Sequence, residues 1–513
     1  MKTSRRTFLK TASTGMATAT LAGISATGCS TEFGGIENWD YEAEIVVLGI
    51  GAAGLMTAIT AADKGADVMI LEKAPEEHAG GNTRVCGQGY WCPETTENAI
   101  EYQKAMSDGY PIPDEMTEAF HTRSIHVTEW LTEMGADMQT IPTQGEYPDF
   151  PGKAENVCWD TKGNGFQRLW LLLMDNAAKR NIRIQYEMPA TELIRDAKTG
   201  EIRGVVAESK GEKVYVKAKK AVALCTGGFE NNQDMIHDYL GMPCGYPKGS
   251  PYNTGDGIKM AMAIGADLWH MDNQAGPDFN FRIPGKDWAF GYAFSPPANN
   301  WIWVAKDGTR FTNEAYFTKH GKIPFHGIYI HVPTPVPVHC VFDETMRKAG
   351  PLYPPDYFFC WWAMIEKYEW SPDSSAEIEK GWIIQADTIK ALAEKIGKDP
   401  DALDKTVRTW NRACASGQDA EFGRTSAKMA PIKTPPYYAA EFVPAFTNTQ
   451  GGPRRNAKAQ VLDTNRKPIP RLYSAGEMGA LYSWHYQGGG NILECIVFGR
   501  IAGENVVTEE TWG

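Results

Sequence analysis

The apolar positions first fall into a strand, a helix and a second strand between Ala43 and Pro75, in "AEIVVLGIGAAGLMTAITAADKGADVMILEKAP". Each strand is a short unbroken apolar run rather than an alternation, the pattern of strands covered on both faces of a parallel sheet. The pattern returns in "KAKKAVALCTGGFENN", Lys217 to Asn232, a strand-like run that ends in a glycine turn. It returns again in "GEMGALYSWHYQGGGNILECIVFGR", Gly476 to Arg500, where three consecutive glycines lead into an apolar helix-like segment beginning near Ile492. Glycines in a row leave backbone N–H groups bare, so something must approach that backbone more closely than any side chain would allow. Ala386 to Cys414, with "KALAEKIGKDPDALDKTVRTWNRAC", has the period of two helices with polar outer faces. The stretches "NNWIWVAKDG" and "YFFCWWAMIEKYEW", the latter Tyr357 to Trp370, are dense in aromatic residues, which suits a core and, as the alternative, a pocket for a flat apolar ring system. No apolar run is long enough to span a bilayer.

A chain of 513 residues with 42% hydrophobic and 22% charged content buries a sizeable core and divides into two or three domains. Its formal charge of −12 argues against nucleic acid or an anionic membrane surface as partner. "SRRTFLK", Ser4 to Lys10, followed by the mildly apolar Thr11 to Ala26, has the basic head and weak hydrophobic region of a twin-arginine export signal. Residues 1–29 are therefore expected to be a signal peptide, with the twin-arginine translocase as a partner and the periplasm or cell surface as destination. Cys29 in "ATGCS" is a candidate for lipidation, although Ala26 stands where a lipobox usually has a larger aliphatic. That route carries folded proteins and suits an enzyme loaded with its cofactor in the cytoplasm. The cysteines predict no metal, because no C-x-x-C or C-x-x-C-H occurs, and covalent haem is excluded on this chain. A disulfide or an unconventional cluster stays compatible with an exported protein, with buried apolar thiols the simpler reading.

Gly49, Gly51 and Gly54 form G-x-G-x-x-G between the first strand and its helix, the arrangement that lets a backbone approach a pyrophosphate at a helix N-terminus. Glu72 ends the second strand, where a carboxylate accepts from a ribose diol. Two further glycine-rich turns, in "HAGGNTRVCGQGYW" (His78 to Trp91) and in "CTGGFENN", suit a chain that returns repeatedly to one large cofactor, FAD rather than NAD.

Together with "GIGAAG", "GGNT" and "CTGGFENN", the segments "NTGDGIKMAMAIGA" (Asn253 to Ala266), "DGTRFTNE" (Asp307 to Glu314), "PPYYA" (Pro435 to Ala439), "TQGGPRRNAKAQVLD" (Thr449 to Asp463) and "LYSAGE" (Leu472 to Glu477) resemble the fumarate reductase/succinate dehydrogenase flavoprotein family over about residues 41 to 510. The resemblance implies an α/β fold, a Rossmann-like FAD-binding domain (GR2-type) with an inserted α+β capping domain. The expected parts are 41–270 and 433–513 for the FAD-binding domain and 271–432 for the cap. It implies FAD held by Gly49, Gly51, Ala53, Gly54, Glu72, Lys73, Gly81, Asn82, Thr83, Gly227, Asp256, Gly476, Glu477, Asn491 and Ile492. The FAD is expected to be non-covalent, because the flanks of His78 do not match an attachment histidine.

The family also implies hydride transfer between flavin N5 and one carbon of a C–C bond beside an electron-withdrawing group, with a protein acid or base handling the neighbouring proton. The family's proton-donating arginine falls on Arg310, with Glu314 to replace its proton; the alternative is that Arg310 is an ion pair holding the cap. Gln487 and Asn448 stand where fumarate enzymes carry an arginine and a histidine, and a small dianion would be badly held there. Tyr486-Gln487-Gly488-Gly489-Gly490 and Gly451-Gly452-Pro453-Arg454 instead resemble the 3-ketosteroid dehydrogenase branch, in which the Tyr486 hydroxyl and the Gly490 N–H would grip a ketone oxygen. Tyr316 and Tyr147 are candidate site tyrosines, with aromatic core as their alternative; Thr318 occupies the branch's more usual tyrosine offset. His485 reads as a packing residue or a direct contact.

The expected function is reduction, or in the other direction formation, of a C=C bond conjugated to a carbonyl in a neutral steroid-like enone or unsaturated lactone. Electrons would come from a separate membrane cytochrome or quinol-linked donor. A ketosteroid dehydrogenase working oxidatively and a reductase of an unsaturated carboxylic acid are the alternatives, and a lipid-anchored protein holding FAD structurally is the reading from outside enzymology.

Overall fold

The structure, a computed structural model, describes residues 31–32, 36, 38–160, 168–291, 294–315, 319–353 and 360–512. The twin-arginine stretch, Cys29, Tyr316 and Thr318 lie outside the described residues.

Strand β1 (Tyr41–Leu48) runs parallel to β2 (Val68–Leu71), with Ile45 opposite Val68 and Leu48 opposite Leu71, and α1 (Ala52–Asp63) makes the crossover. Ile45 to Leu48 and all of β2 are buried, so both strands need the unbroken apolar runs seen in the sequence. Strand β3 (Glu212–Leu224) lies parallel on the other side of β1. Its first half pairs antiparallel with Ile202–Ser209, while Val222, Ala223 and Leu224 pair parallel with Leu472, Tyr473 and Ser474 of β4 (Pro468–Ser474). One nine-stranded sheet therefore joins the first and last thirds of the chain. It also brings three glycine turns, after β1, β3 and β4, to the same carboxyl edge, the edge where open α/β sheets bind ligands.

The final helix, α2 (Gly490–Val506), lies against α1. A Cβ on Gly499 would stand 2.8 Å from the Cβ of Met56, and one on Gly503 would stand 2.5 Å from the Cβ of Thr60, so these glycines let the two helices touch. Arg455 is fully buried behind this pair; it is ion-paired to Glu494 of α2 and donates to the Met478 carbonyl at 3.1 Å.

A second, six-stranded sheet is built around Tyr437–Phe446, which pairs with Tyr246–Pro247, Asp278–Phe281, Val338–Asp343 and Ile383–Ala386. The expected boundary at 433 therefore needs correction, because Tyr437–Phe446 is the central strand of the second sheet and the chain rejoins the first only at Gln460. The strand is apolar on both faces, a pattern that either sheet would satisfy. The two expected helices form as Ile389–Lys395 and Pro400–Ser416, capped by Thr388 and Asp399, and they bury Leu392, Leu403, Val407 and Trp410. The described tryptophans of these segments are core: Trp362 stacks on Phe290 at 3.6 Å and Trp301 packs on Trp303 at 5.4 Å, while Tyr357, Phe358 and Phe359 lie outside the described residues. Cys92 and Cys158 form a disulfide, against the expectation of buried thiols, because antiparallel pairing of Tyr90–Cys92 with Asn156–Asp160 brings residues distant in sequence together.

Candidate active site

The three glycine turns line an open cavity. Of the residues expected to hold the cofactor, Gly49, Gly51, Ala53, Glu72, Lys73, Gly81, Asn82, Thr83, Gly227, Asp256, Gly476 and Glu477 line it. Gly54 does not; a Cβ there would lie 2.0 Å from the Gly49 carbonyl oxygen, so it closes the turn from behind. The N-terminus of α1 opens into the cavity; Thr83 Oγ1 accepts from the Ala52 N–H at 3.0 Å, and the following first-turn N–H groups of Ala53 and Gly54 are left for an anion. Glu72 accepts from the Ile50 N–H at 3.0 Å and the Ala74 N–H at 2.7 Å, and burial pushes its carboxyl above the ordinary range. Lys73 reaches Asp256 at 2.7 Å and Thr254 Oγ1 at 2.5 Å, tying the second strand's end to the Asn253–Asp256 turn.

A second cavity shares Asn82, Thr83, Glu477 and Cys495 with the first and continues it toward Tyr486, Asn448, Lys248, Asn491 and Ile492. The Oδ1 atoms of Asn448 and Asn491 are buried there without a hydrogen-bond partner among the described residues. Lys248 is engaged by Asp278 at 2.5 Å. Two joined cavities, a glycine turn at an open helix N-terminus, a ribose-type carboxylate and orphaned amide oxygens fit a dinucleotide with a polar-edged ring system, as FAD is.

Tyr486 lies on the wall of the second cavity, and its hydroxyl accepts weakly from the Asn491 N–H at 3.4 Å. Gly490 requires a correction. Its N–H already donates to the Gln487 carbonyl at 2.8 Å, and its missing side chain makes room for Tyr482, whose hydroxyl would lie 2.3 Å from a Cβ. Gln487 is also spent, since its Oε1 accepts from the Tyr102 hydroxyl at 2.7 Å and the Glu146 N–H at 2.8 Å. Tyr147 is brought into this neighbourhood, with its ring 4.9 Å from His485 and its buried hydroxyl without a hydrogen-bond partner among the described residues. His485 is enclosed by Tyr147, Phe150, Tyr329 and Trp484; burial, then nearby Lys322, lowers its pKa to about 4, so the ring is neutral at pH 7.

Arg310 is not brought to either cavity. Its Nε and Nη2 donate to Glu314 at 2.8 and 2.7 Å, its Nη1 and Nη2 to Asp419 at 3.1 and 3.0 Å, and the guanidinium lies over Trp410 at 4.6 Å. Burial works against its charge and is outweighed by the two carboxylates, which hold its pKa above the ordinary value and make it a worse acid. The geometry therefore favours the alternative, an ion pair that holds the cap.

Three groups escaped the sequence reading. His320 Nε2 lies 2.6 Å from Glu146 Oε2, and its ring stands edge-on to Tyr486 at 4.8 Å. Lys322 is buried with its ammonium on Asn273 Oδ1 at 2.8 Å and over Trp484 at 4.9 Å; burial lowers its pKa to about 7. Glu230 is fully buried and accepts from Asn82 and Asn253. "FENN" and "TKHGK" carry these groups in sequence, but partners that lie 23 to 174 residues away give them their meaning.

The FAD binding domain family matches residues 44–493. Fumarate reductase (cytochrome) of Shewanella frigidimarina is 29% identical over 479 residues, covering 90% of this chain and 76% of that protein. Digoxin reductase of Eggerthella lenta is 29% identical over 579 residues, covering 99% of this chain and 97% of that protein. Among solved structures, 3-ketosteroid delta1-dehydrogenase from Sterolibacterium denitrificans has the same fold, with a TM-score of 0.73 at 22% identity over 91% of this chain and 99% of that one. A flavocytochrome c3 fumarate reductase superposes with a TM-score of 0.68 at 26% identity, over 92% of this chain and 79% of that one. The protein is an FAD-dependent oxidoreductase acting on C=C bonds.

Proposed function

This chain belongs to the FAD binding domain family, and we propose that within it the protein is an exported reductase of a C=C bond conjugated to the carbonyl of a neutral, largely apolar enone or unsaturated lactone. A separate membrane cytochrome or quinol-linked carrier supplies its electrons. The observation that carries this reading is Tyr486 on the wall of the second cavity with no cation at Gln487 or Asn448 to clamp a carboxylate. The similarity to digoxin reductase along nearly the whole chain supports it. The Cys92–Cys158 disulfide supports an oxidising compartment.

Bound FAD supplies hydride chemistry at one carbon of the double bond. The Tyr486 hydroxyl donates to the carbonyl oxygen on which charge develops, an oxyanion-type contact. His320, held by Glu146 and standing against Tyr486, takes over the proton delivery first expected of Arg310. Glu146 stays ionised for that work: burial raises its pKa, but His320 and then the Gly488 N–H and Lys319 more than reverse the shift.

The test is a panel with reduced viologen as donor: fumarate, an aryl acrylate, a 3-keto-4-ene steroid and an unsaturated lactone. The lactone or the steroid should oxidise the dye fastest, and rapid oxidation by fumarate alone would sink the reading. Tyr486→Phe should lower turnover about a hundredfold by removing one oxyanion donor. His320→Gln should leave reduction of the flavin by dye unchanged and slow its reoxidation by substrate about a hundredfold, the size of a lost proton-transfer group. A second reading rests on Lys322, a buried cation held by amide and carbonyl oxygens near His485, which would suit the carboxylate of an unsaturated acid. Turnover of the aryl acrylate that is lost in Lys322→Met would favour it.

A further inference from the structure

Two carboxylates meet at Asn82, beside both cavities. The Asn82 Nδ2 donates to Glu230 Oε1 at 2.8 Å and to Glu477 Oε1 and Oε2 at 3.0 and 3.3 Å. Its Oδ1 accepts from the Ser250 N–H at 2.9 Å, so the amide cannot turn over to offer the pair an acceptor instead. Glu230 also accepts from Asn253 Nδ2 at 2.7 Å and Thr449 Oγ1 at 3.2 Å. Glu477 lines both cavities, where the cofactor would lie.

We propose that Glu230 and Glu477 act as one proton-holding pair beside the bound FAD, carrying one proton while the cofactor is oxidised and taking a second from water when the cofactor receives two electrons. One O–H bond forms, on a carboxylate oxygen of the pair, and no other bond of the protein changes.

The charges around the pair support this. Neither carboxylate forms an ion pair among the described residues. The ammonium groups that line the cavities have carboxylates of their own, Lys73 with Asp256 at 2.7 Å and Lys248 with Asp278 at 2.5 Å. Glu72, the remaining acid of the first cavity, is bonded to two backbone N–H groups. The thiols of Cys86 and Cys495, which also line the second cavity, are pushed up by burial and stay neutral. Glu230 is fully buried and Glu477 half-buried on the cavity wall, and two adjacent carboxylates of this kind without a cation do not both ionise at neutral pH without a penalty. Burial raises both carboxyl groups, and Glu230 raises Glu477 further. Electrons added to the neighbouring cofactor would bring more negative charge close to the pair, which favours the second proton.

Glu230 is thus a positioning residue for charge rather than a group that touches substrate. The experiment uses the FAD-loaded protein and reduced viologen and needs no substrate. Wild-type protein should show, in its reduced-minus-oxidised infrared spectrum, the gain of a protonated-carboxyl C=O band and the loss of a carboxylate band. The double variant Glu230→Gln, Glu477→Gln keeps the shape of both side chains and their acceptors for Asn82 and removes both titrating groups. Proton uptake per two electrons near neutral pH should therefore fall by one. Equivalently, the slope of midpoint potential against pH should fall by about 30 mV per pH unit, the value of one proton per two electrons. Unchanged uptake in the double variant that still holds FAD would overturn the proposal. Absence of the carboxyl band in wild type would overturn it whatever the variant does.

Discussion

Replacing Arg310 with alanine should destabilise the protein by about 3–5 kcal/mol, the usual cost of removing one partner from a buried ion pair. The reason is what the substitution leaves behind. Glu314 and Asp419 are both buried, and each now receives two hydrogen bonds from the guanidinium. Arg424, the other cation nearby, reaches Glu314 only at 3.4 Å and spends its remaining donors on the carbonyls of Trp301, Asn299 and Lys428. Without Arg310 the two acids must be protonated or hydrated inside a core that also contains Trp410. Arg310→Lys keeps the charge and loses the fork, so it should fall between wild type and alanine. Thermal and denaturant unfolding measure the loss directly. Turnover reduced a hundredfold in Arg310→Lys with an unchanged unfolding midpoint would return this residue to the role of acid.

The difference between that outcome and the sequence expectation lies in Asp419. "DGTRFTNE" displays Arg310 and Glu314 four residues apart, and a single neighbour of that kind suits a proton relay as well as an ion pair. The second carboxylate comes from a loop 109 residues further on and becomes visible only when the cap has folded. His320 and Glu146 are separated by 174 residues and Asn82 and Glu230 by 148, so no local pattern announces either contact. The cofactor cavity was legible for the opposite reason. Its chemistry rests on backbone, and backbone needs leave marks in composition: glycines where a chain turns or a ligand approaches, and apolar runs where strands are covered on both faces. Tyr437–Phe446 marks the limit of that logic. Apolar runs say that a strand is buried and not which sheet buries it.

Gly51 offers the cleanest separation of ligand from fold. Its φ of −67° is open to any residue, and a Cβ built there would meet only Thr83 Oγ1 at 3.6 Å and the Gly80 carbonyl at 3.9 Å, ordinary contact distances. The protein by itself gives no reason for glycine at this place. The space in front of it is the first cavity, and a side chain would occupy the ground where a pyrophosphate must meet the N-terminus of α1. Gly51→Leu should therefore leave the apoprotein folded, with an unfolding midpoint close to that of wild-type apoprotein, and weaken FAD binding by at least about a hundredfold, the loss of roughly 2.7 kcal/mol. Gly54→Ala is the counterpart. Its added Cβ would lie 2.0 Å from the Gly49 carbonyl oxygen, so the turn itself must distort and the apoprotein should lose stability. Unfolding curves of the two apoproteins, followed by FAD titration monitored by flavin fluorescence, check both statements. If Gly51→Leu binds FAD as wild type does, the pyrophosphate does not lie on this turn; if its apoprotein is as unstable as Gly54→Ala, the glycine serves the fold after all.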